Sequence, residues 1–325
     1  MKTQEWAIPG RPGMALDGSG QALALELVRV TEAAAIAAGE WAGPGDGNSG
    51  KAAAIHAIRE LLGSVRMRGV VVTGGKSATP VLSAGEDVGS GDGPVCDVAI
   101  TAGDGALSTV KDVPYALTAI AVAERGALFD PSPVASMEKL AVGPDCVDVV
   151  DIGRPVAENL RAVAKAKDIR VSDVVVAVLN RPRHRDLVHE IRDAGARVHL
   201  LEGGDVAGAI AVARPESPVD ILLGAGGAAE GVIAAAALTC SGGSLQARLR
   251  PEGKILHTED LVDGENILFC ATGVTGSELL RGVQHHPGRV VTQSLVMSSK
   301  PETVRIVRSE RPHAARREQD GRRTA

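Results

Sequence analysis

The spacing of hydrophobic positions in this chain of 325 residues changes along its length. Between residues 19 and 41, Leu23, Leu27, Val30, Ala34 and Ala37 fall on one helical stripe, and Ser19 stands where an N-cap hydroxyl belongs. The pattern predicts a long amphipathic helix. A glycine-rich turn, AGPGDGNSG, separates it from a second predicted helix running from Lys51 to about Val65. Short strand-like runs follow: GVVVTGG at 69–75, DVAIT at 97–101, ALTAIAVA at 116–123 and EKLAVG at 138–143. Helix and strand patterns do not strictly alternate in this half.

Past a helix predicted to start near Pro155, the order becomes regular. DVVVAVLN (173–180) precedes HRDLVHEIRDAG, ARVHLLEGG (196–204) precedes DVAGAIAVA, and VDILLGAGG (219–227) precedes AAEGVIAAAALTC. Three successive β-α units with right-handed crossovers would bring the carboxyl ends of their strands to one edge, where open α/β sheets bind ligands. ENILFCATGVTGSELLRGV and strand-like runs near 290–297 and 303–308 close the pattern. There is no internal repeat and no low-complexity linker. The expectation is two interlocked lobes, 20–150 and 151–310, between a flexible leader (1–19) and a solvated basic tail (311–325).

Composition narrows the interior. With 39 glycines, 44% hydrophobic residues and only 2% aromatics, the core must be Ala, Val, Leu and Ile packed through small side chains. A net charge of −5 and a pI near 5.9 lack the electrostatic footprint of a nucleic-acid binder, so no nucleic-acid partner is expected. The four cysteines lie far apart without a C-x-x-C pair, which fits a reduced cytoplasmic compartment better than a zinc knuckle or a redox motif. No apolar run approaches the ~18 to 20 residues of a membrane span, and the first residues lack a signal-peptide core, so no membrane partner is expected. His285 and His286 have no neighbouring acids or cysteines and read as a loop pair.

The chemistry gathers at strand ends. NRPRH places Arg181, Arg183 and His184 after one strand, EGGD places Gly203, Gly204 and Asp205 after the next, and GAGGAAEG places Gly224, Gly226, Gly227 and Glu230 after the third. Guanidiniums hold phosphate bidentately, glycines admit its close approach to backbone, and an acid accepts sugar hydroxyls. The pattern sketches a phosphosugar site, while the same residues individually also suit surface turns. The glycine run is not G-x-G-x-x-G and lacks the later acid of a dinucleotide fold. In the first half, DVAITAGDGALST at 97–109 runs from a strand into a glycine turn holding Asp104, a place suited to a metal or an anion.

Several segments together resemble the class II (glpX-type) fructose-1,6-bisphosphatases of the lithium-sensitive sugar phosphatase superfamily: LALELVRVTEAAAIAAGEWAGPGDGNSGKAAA, SMEKLAVGP, NRPRH, EGGDVAGAI, GAGGAAEGV and ILFCATGVTGSELLRGV. The likeness spans about residues 20–310 in family order. It implies an α/β fold, a layered αβαβα sandwich of the sugar-phosphatase type. It also implies a homo-oligomer, a phosphorylated-sugar partner, and Mg²⁺ or Mn²⁺ ions activating water against the 1-phosphate of fructose 1,6-bisphosphate.

On the substrate side the resemblance assigns Arg181, Arg183, His184, Gly204, Asp205 and Gly227, with Ser136 where the family has tyrosine and Gly203 where it has an acid. The metal side departs further. Lys51 replaces an aspartate ligand, although Asp46 remains; Gly74-Gly75-Lys76-Ser77 carries no acid where the family has Gly-Glu-Gly-Glu. The hallmark Asp-Pro-x-Glu-Gly-Thr aligns with Thr101-Ala102-Gly103-Asp104-Gly105-Ala106. Asp104 and Glu230 remain as a weak metal pair, and with the other acids lost a site holding no metal is the alternative. Asp104, Glu230, Lys51 and Thr101 are therefore the expected catalytic group.

Three readings stay open: an enzyme acting on a phosphorylated sugar, as a residual phosphatase or with repurposed metal-free chemistry; a catalytically inactive sugar-phosphate sensor or partner subunit; and a degenerate paralogue that assembles with an active homologue. A Schiff base on Lys51 or Lys76 is a further expectation that borohydride trapping tests.

Overall fold

A computed structural model of the chain describes residues 19–41, 47–73, 82–104 and 113–312, with the backbone alone for Ser19, Gly47, Asn48 and Asp104. The expectations placed on the leader before Ser19, on Asp46, on Lys76 and its glycines, on Ala106 and on the tail after Pro312 lie outside the described residues. Helices α1 (Ser19–Gly39) and α2 (Gly47–Leu62) come first, then strands β1 (Arg68–Thr73), β2 (Asp87–Val88), β3 (Val95–Asp104), β4 (Leu117–Glu124) and β5 (Ser136–Val142). Next come α3 (Val156–Ala166), β6 (Val175–Leu179), α4 (Arg185–Asp193), β7 (Arg197–Leu201), α5 (Asp205–Ala211), β8 (Ile221–Gly227) and α6 (Ala228–Thr239). The chain finishes with β9 (Ser244–Arg250), β10 (Ile255–Leu256), α7 (Thr258–Leu261), β11 (Leu268–Gly273), β12 (Gln284–His286), β13 (Arg289–Ser299) and β14 (Glu302–Pro312).

Seven of the eight residues of β4 are buried, so this strand must be covered on both faces. It lies inside the first sheet, ordered β12-β13-β11-β4-β3-β1-β2, with β14 on the far side of β13. The second sheet is ordered β10-β9-β5-β8-β6-β7. Leu27 of α1 and Ile58 of α2 pack with Val98, Ile120 and Cys270 on one face of the first sheet. Val206 of α5 and Val232 of α6 pack between the sheets, against Ala121 and Phe269 of one and Met137 and Leu222 of the other. Leu160 of α3 and Ile191 of α4 cover the remaining face of the second sheet over Leu140, Val176 and Ile221. The result is the expected αβαβα layering. The sequence of α6, AAEGVIAAAALT, is apolar all round because sheets flank it on both sides.

The three β-α units occupy the second sheet as read from the sequence, with β6 parallel to both β7 and β8. The lobe division near residue 150 does not follow the sheets. β5 already belongs to the second sheet, and β11 to β14 return to the first. The basic tail likewise begins inside a strand: Arg311 pairs in register with Val290, and its guanidinium meets the buried carboxylate of Glu32. Charge favoured solvent there, but Glu32, a buried acid carried by α1, needs a cation. His285 and His286 stand in β12 rather than a loop. Among the described residues, no helix is long and apolar enough to cross a membrane.

Candidate active site

A cavity of about 420 Å³ opens where the ends of β1 and β3 face the N-terminus of α6. Lys51 reaches it from α2, Thr73 from β1, Thr101 from β3, and Gly227 and Glu230 from the β8–α6 junction. Gly227 is the N-cap of α6 and supplies no side-chain cap. The first N–H groups of this 12-residue helix therefore add positive potential beside the Lys51 ammonium, an arrangement that attracts anions. Glu230 sits in the same first turn. A Cβ built on Gly227 would come within 2.0 Å of Glu230 Oε2, so the carboxylate folds back over the glycine and any larger residue there displaces it. Thr73 is 2% exposed, and its hydroxyl has no hydrogen-bond partner among the described residues. Sequence reasoning missed it because a threonine ending a valine run carries no distinguishing pattern.

The structure divides the remaining expected residues among other surroundings. Arg183 donates from Nε and Nη2 to the Ala225 carbonyl at 2.9 and 2.8 Å. His184 Nδ1 lies 2.8 Å from the Leu179 carbonyl, and the Ala225 N–H donates to Nε2 at 2.8 Å, which together define a neutral imidazole with its proton on Nδ1. Burial pulls the His184 pKa below the ordinary imidazole value, and the neighbouring Arg183 charge adds to this. The two side chains thus clamp β8 and line a second cavity of about 350 Å³. Arg181 donates to the carbonyl of Asn180 at 2.8 Å and is half-buried on another surface.

Beneath the glycine run, the Asp205 carboxylate is ion-paired with Lys139, and both are buried. Sequence reasoning did not assign Lys139 a role, since its partner lies 66 residues away. Gly204 adopts φ 64° to start α5, a left-handed conformation that glycine enters without strain. Ser136 is the ladder partner of Gly227 and stands beside the first cavity. The backbone of Asp104 ends β3 opposite Leu117.

The chain returns from the 105–112 segment through an anchored arm. Thr275 donates from Oγ1 to the Val113 carbonyl at 2.6 Å and accepts from the Ala116 N–H at 3.0 Å. Tyr115, the single tyrosine of the sequence, donates its hydroxyl to Glu278 and lies 2.8 Å from His199 Nε2. Burial, reinforced by Glu278, raises the tyrosine pKa and keeps the phenol protonated. Thus β7 and the loop after β11 hold the arm that enters β4.

As to metal, the described side chains contain no group of three or more His, Cys, Asp or Glu suited to an ion. Around the first cavity the described side-chain oxygens are the Glu230 carboxylate and the hydroxyls of Thr73 and Thr101, with Ser83 and Ser132 at its margin. A hard divalent ion collects six or more oxygens, so these groups fit as part of a divalent-ion site completed by water and phosphate.

The family described as bacterial fructose-1,6-bisphosphatase, glpX-encoded, matches residues 21–311. The chain is 35% identical over 319 residues to the fructose-1,6-bisphosphatase class 2 of Haemophilus influenzae, covering 89% of this chain and 96% of the relative. It is 34% identical over 317 residues to fructose-1,6-bisphosphatase 1 class 2 of Escherichia coli strain K12, covering 88% and 94%. With helices and sheets in the expected layers and a match across nearly the whole sequence, the chain belongs to the glpX-encoded, class II fructose-1,6-bisphosphatase family.

Proposed function

We propose that the first cavity binds a phosphorylated sugar and hydrolyses its phosphate ester, with fructose 1,6-bisphosphate, the substrate named in the relatives' descriptions, as the compound to test first. The observation that carries this reading is the convergence of the Lys51 ammonium, the uncapped N-terminus of α6 and the Glu230 carboxylate on one cavity. Lys51 and the helix N–H groups neutralise the phosphate and position it. The Thr73 and Thr101 hydroxyls are available to its oxygens. Glu230 would hold a Mg²⁺ or Mn²⁺ ion as its anionic ligand. When bound, such an ion supplies Lewis-acid activation of water and charge neutralisation. Water oxygen adds to phosphorus, the bond from phosphorus to the sugar oxygen breaks, and the sugar leaves as an alcohol after taking up a proton.

A second reading, binding without turnover, is favoured by Lys51 itself. An ammonium in this cavity gives phosphate a cation without activating water.

Phosphate release from fructose 1,6-bisphosphate with Mn²⁺, beside calorimetry of the same compound in EDTA, separates the two. The first reading expects metal-dependent release and a loss of at least tenfold in Glu230→Gln. Binding in EDTA with no release in any metal establishes the second, and absence of binding under both conditions overturns both. A homo-oligomer in the cytoplasm goes with either reading; light scattering that returned only the 33.3 kDa monomer would count against it.

A further inference from the structure

Tyr115 takes no part in holding the phosphate, yet its conformation is costly. Its φ is 72°, a left-handed value that a bulky side chain keeps only where the surroundings over-determine the backbone. Those surroundings are explicit. The ring is buried between the sheets, edge-on to the His199 ring with centroids 6.0 Å apart. The single hydroxyl proton goes to Glu278, so toward His199 the phenol oxygen accepts, and the imidazole donates its Nε2–H over 2.8 Å. The backbone is held as well: the Tyr115 N–H reaches the Gly276 carbonyl at 3.4 Å, and Thr275 grips both Val113 and Ala116. Glu278 follows β11 of the first sheet, whereas His199 belongs to β7 of the second. One phenol therefore ties the two sheets.

The tie bears on one wall of the first cavity. Leu117, two residues on, begins β4 opposite Asp104, and Ala119 pairs with the cavity-lining Thr101. The β3–β4 register shifts between Ala102 and Asp104, so the ladder alone does not fix this strand end. The facing wall, Gly227 and Glu230, hangs from β8 of the second sheet. Distances across the cavity thus depend on how the sheets are held together. We propose that Tyr115 is a positioning residue for phosphate-ester hydrolysis: bonded to Glu278 and His199, it holds the end of β3, with Thr101, against Glu230 and the N-terminus of α6. The inference rests on the hydrolytic reading of the first cavity. Lys51 and the α6 N–H groups, which hold the phosphate, come from other elements, so loosening the tie misaligns attack more than it weakens binding.

The test is steady-state phosphate release from fructose 1,6-bisphosphate with Mn²⁺, using the full-length protein at a temperature where circular dichroism shows every variant fully folded. Tyr115→Phe keeps the ring and removes both hydroxyl contacts. The expected result is a kcat lowered about tenfold or more with KM within about threefold of wild type. Glu278→Ala should do the same, and Glu278→Gln, which restores an oxygen acceptor to the phenol, should recover most of the loss. Glu278 and His199 are each about one-third exposed, so Glu278→Ala and His199→Ala remain informative if Tyr115→Phe fails to fold. A merely structural role leaves kcat unchanged in the folded variants, and that outcome overturns the proposal. So does a loss confined to KM, or a Glu278→Gln no better than Glu278→Ala. A wild type that releases no phosphate with any metal overturns the hydrolytic reading and this inference with it, whereas an active wild type with unaffected variants overturns this inference alone.

Discussion

Lys139 and Glu138 are consecutive residues of β5, and each joins an ion pair, but on opposite faces of the same sheet. Lys139 points between the sheets, where its side chain is 2% exposed and that of Asp205 10% exposed. Glu138 points outward to Arg248 and Arg250, with exposures of 30, 34 and 54%. The contacts are chemically alike and energetically unlike. A charge enclosed between sheets cannot exchange its partner for water, so losing that partner leaves an uncompensated ion. At the wet face, water and salt take over most of what a lost partner supplied. Position in the layers, rather than the count of ion pairs, decides which contact holds the fold.

The largest test breaks the inner pair. Lys139→Met strands the Asp205 carboxylate and is expected to cost about 3–5 kcal/mol in denaturant unfolding, with most of that regained in Lys139→Met/Asp205→Leu. A single-variant cost below about 1 kcal/mol would erase the contrast between the faces. Next comes Gly226→Ala. Its Cβ would lie 2.4 Å from Asp205 Oδ2 and 3.1 Å from Lys139 Nζ, and a cost of about 1–3 kcal/mol is expected. In a double-mutant cycle that cost should shrink on the Lys139→Met/Asp205→Leu background, since the clash is with the pair itself.

A smaller effect comes from His184 at the edge of the outer cavity. Burial holds its folded pKa below the unfolded imidazole value, so the unfolded chain takes up the proton first. Its contribution is complete above the ordinary imidazole pKa and is lost as pH falls from that value through the lowered folded one. Unfolding free energies measured from pH 7.5 to 5 should show this slope. His184→Asn should flatten it, and an unchanged slope would remove histidine from the explanation. Smallest is Arg250→Ala, which leaves Arg248 on Glu138; it should cost under about 1 kcal/mol and less still in high salt.

Local periodicity made much of the fold legible. The three β-α units stood out because each strand and its helix are adjacent in sequence and their turns carry glycine. The division into sheets was harder to see, because β11 pairs with β4 across well over a hundred residues and β5 leaves the first sheet without a compositional signal. Similar distance hid Lys139 from Asp205 and Arg311 from Glu32, whose separation is 279 residues. At the candidate site, motif reading named Asp104, Glu230, Lys51 and Thr101 as the catalytic group and Gly227 as a substrate residue; Lys51, Thr101, Gly227 and Glu230 line one cavity, and only the backbone of Asp104 is described, at the end of β3. Motif reading could not tell that Arg183 turns outward to Ala225, since the direction of a side chain at a strand end depends on register.

That register makes the length of β8 harder to change than its composition. Ala225 lines the outer cavity, while Gly226 backs onto the Lys139–Asp205 pair. Inserting or deleting one residue between Ile221 and Gly227 would exchange those faces, setting a side chain against the buried pair and withdrawing the carbonyl that Arg183 grips and the N–H that His184 accepts. The strand works as a reading frame shared by two compartments, and a frameshift in space would disable both at once.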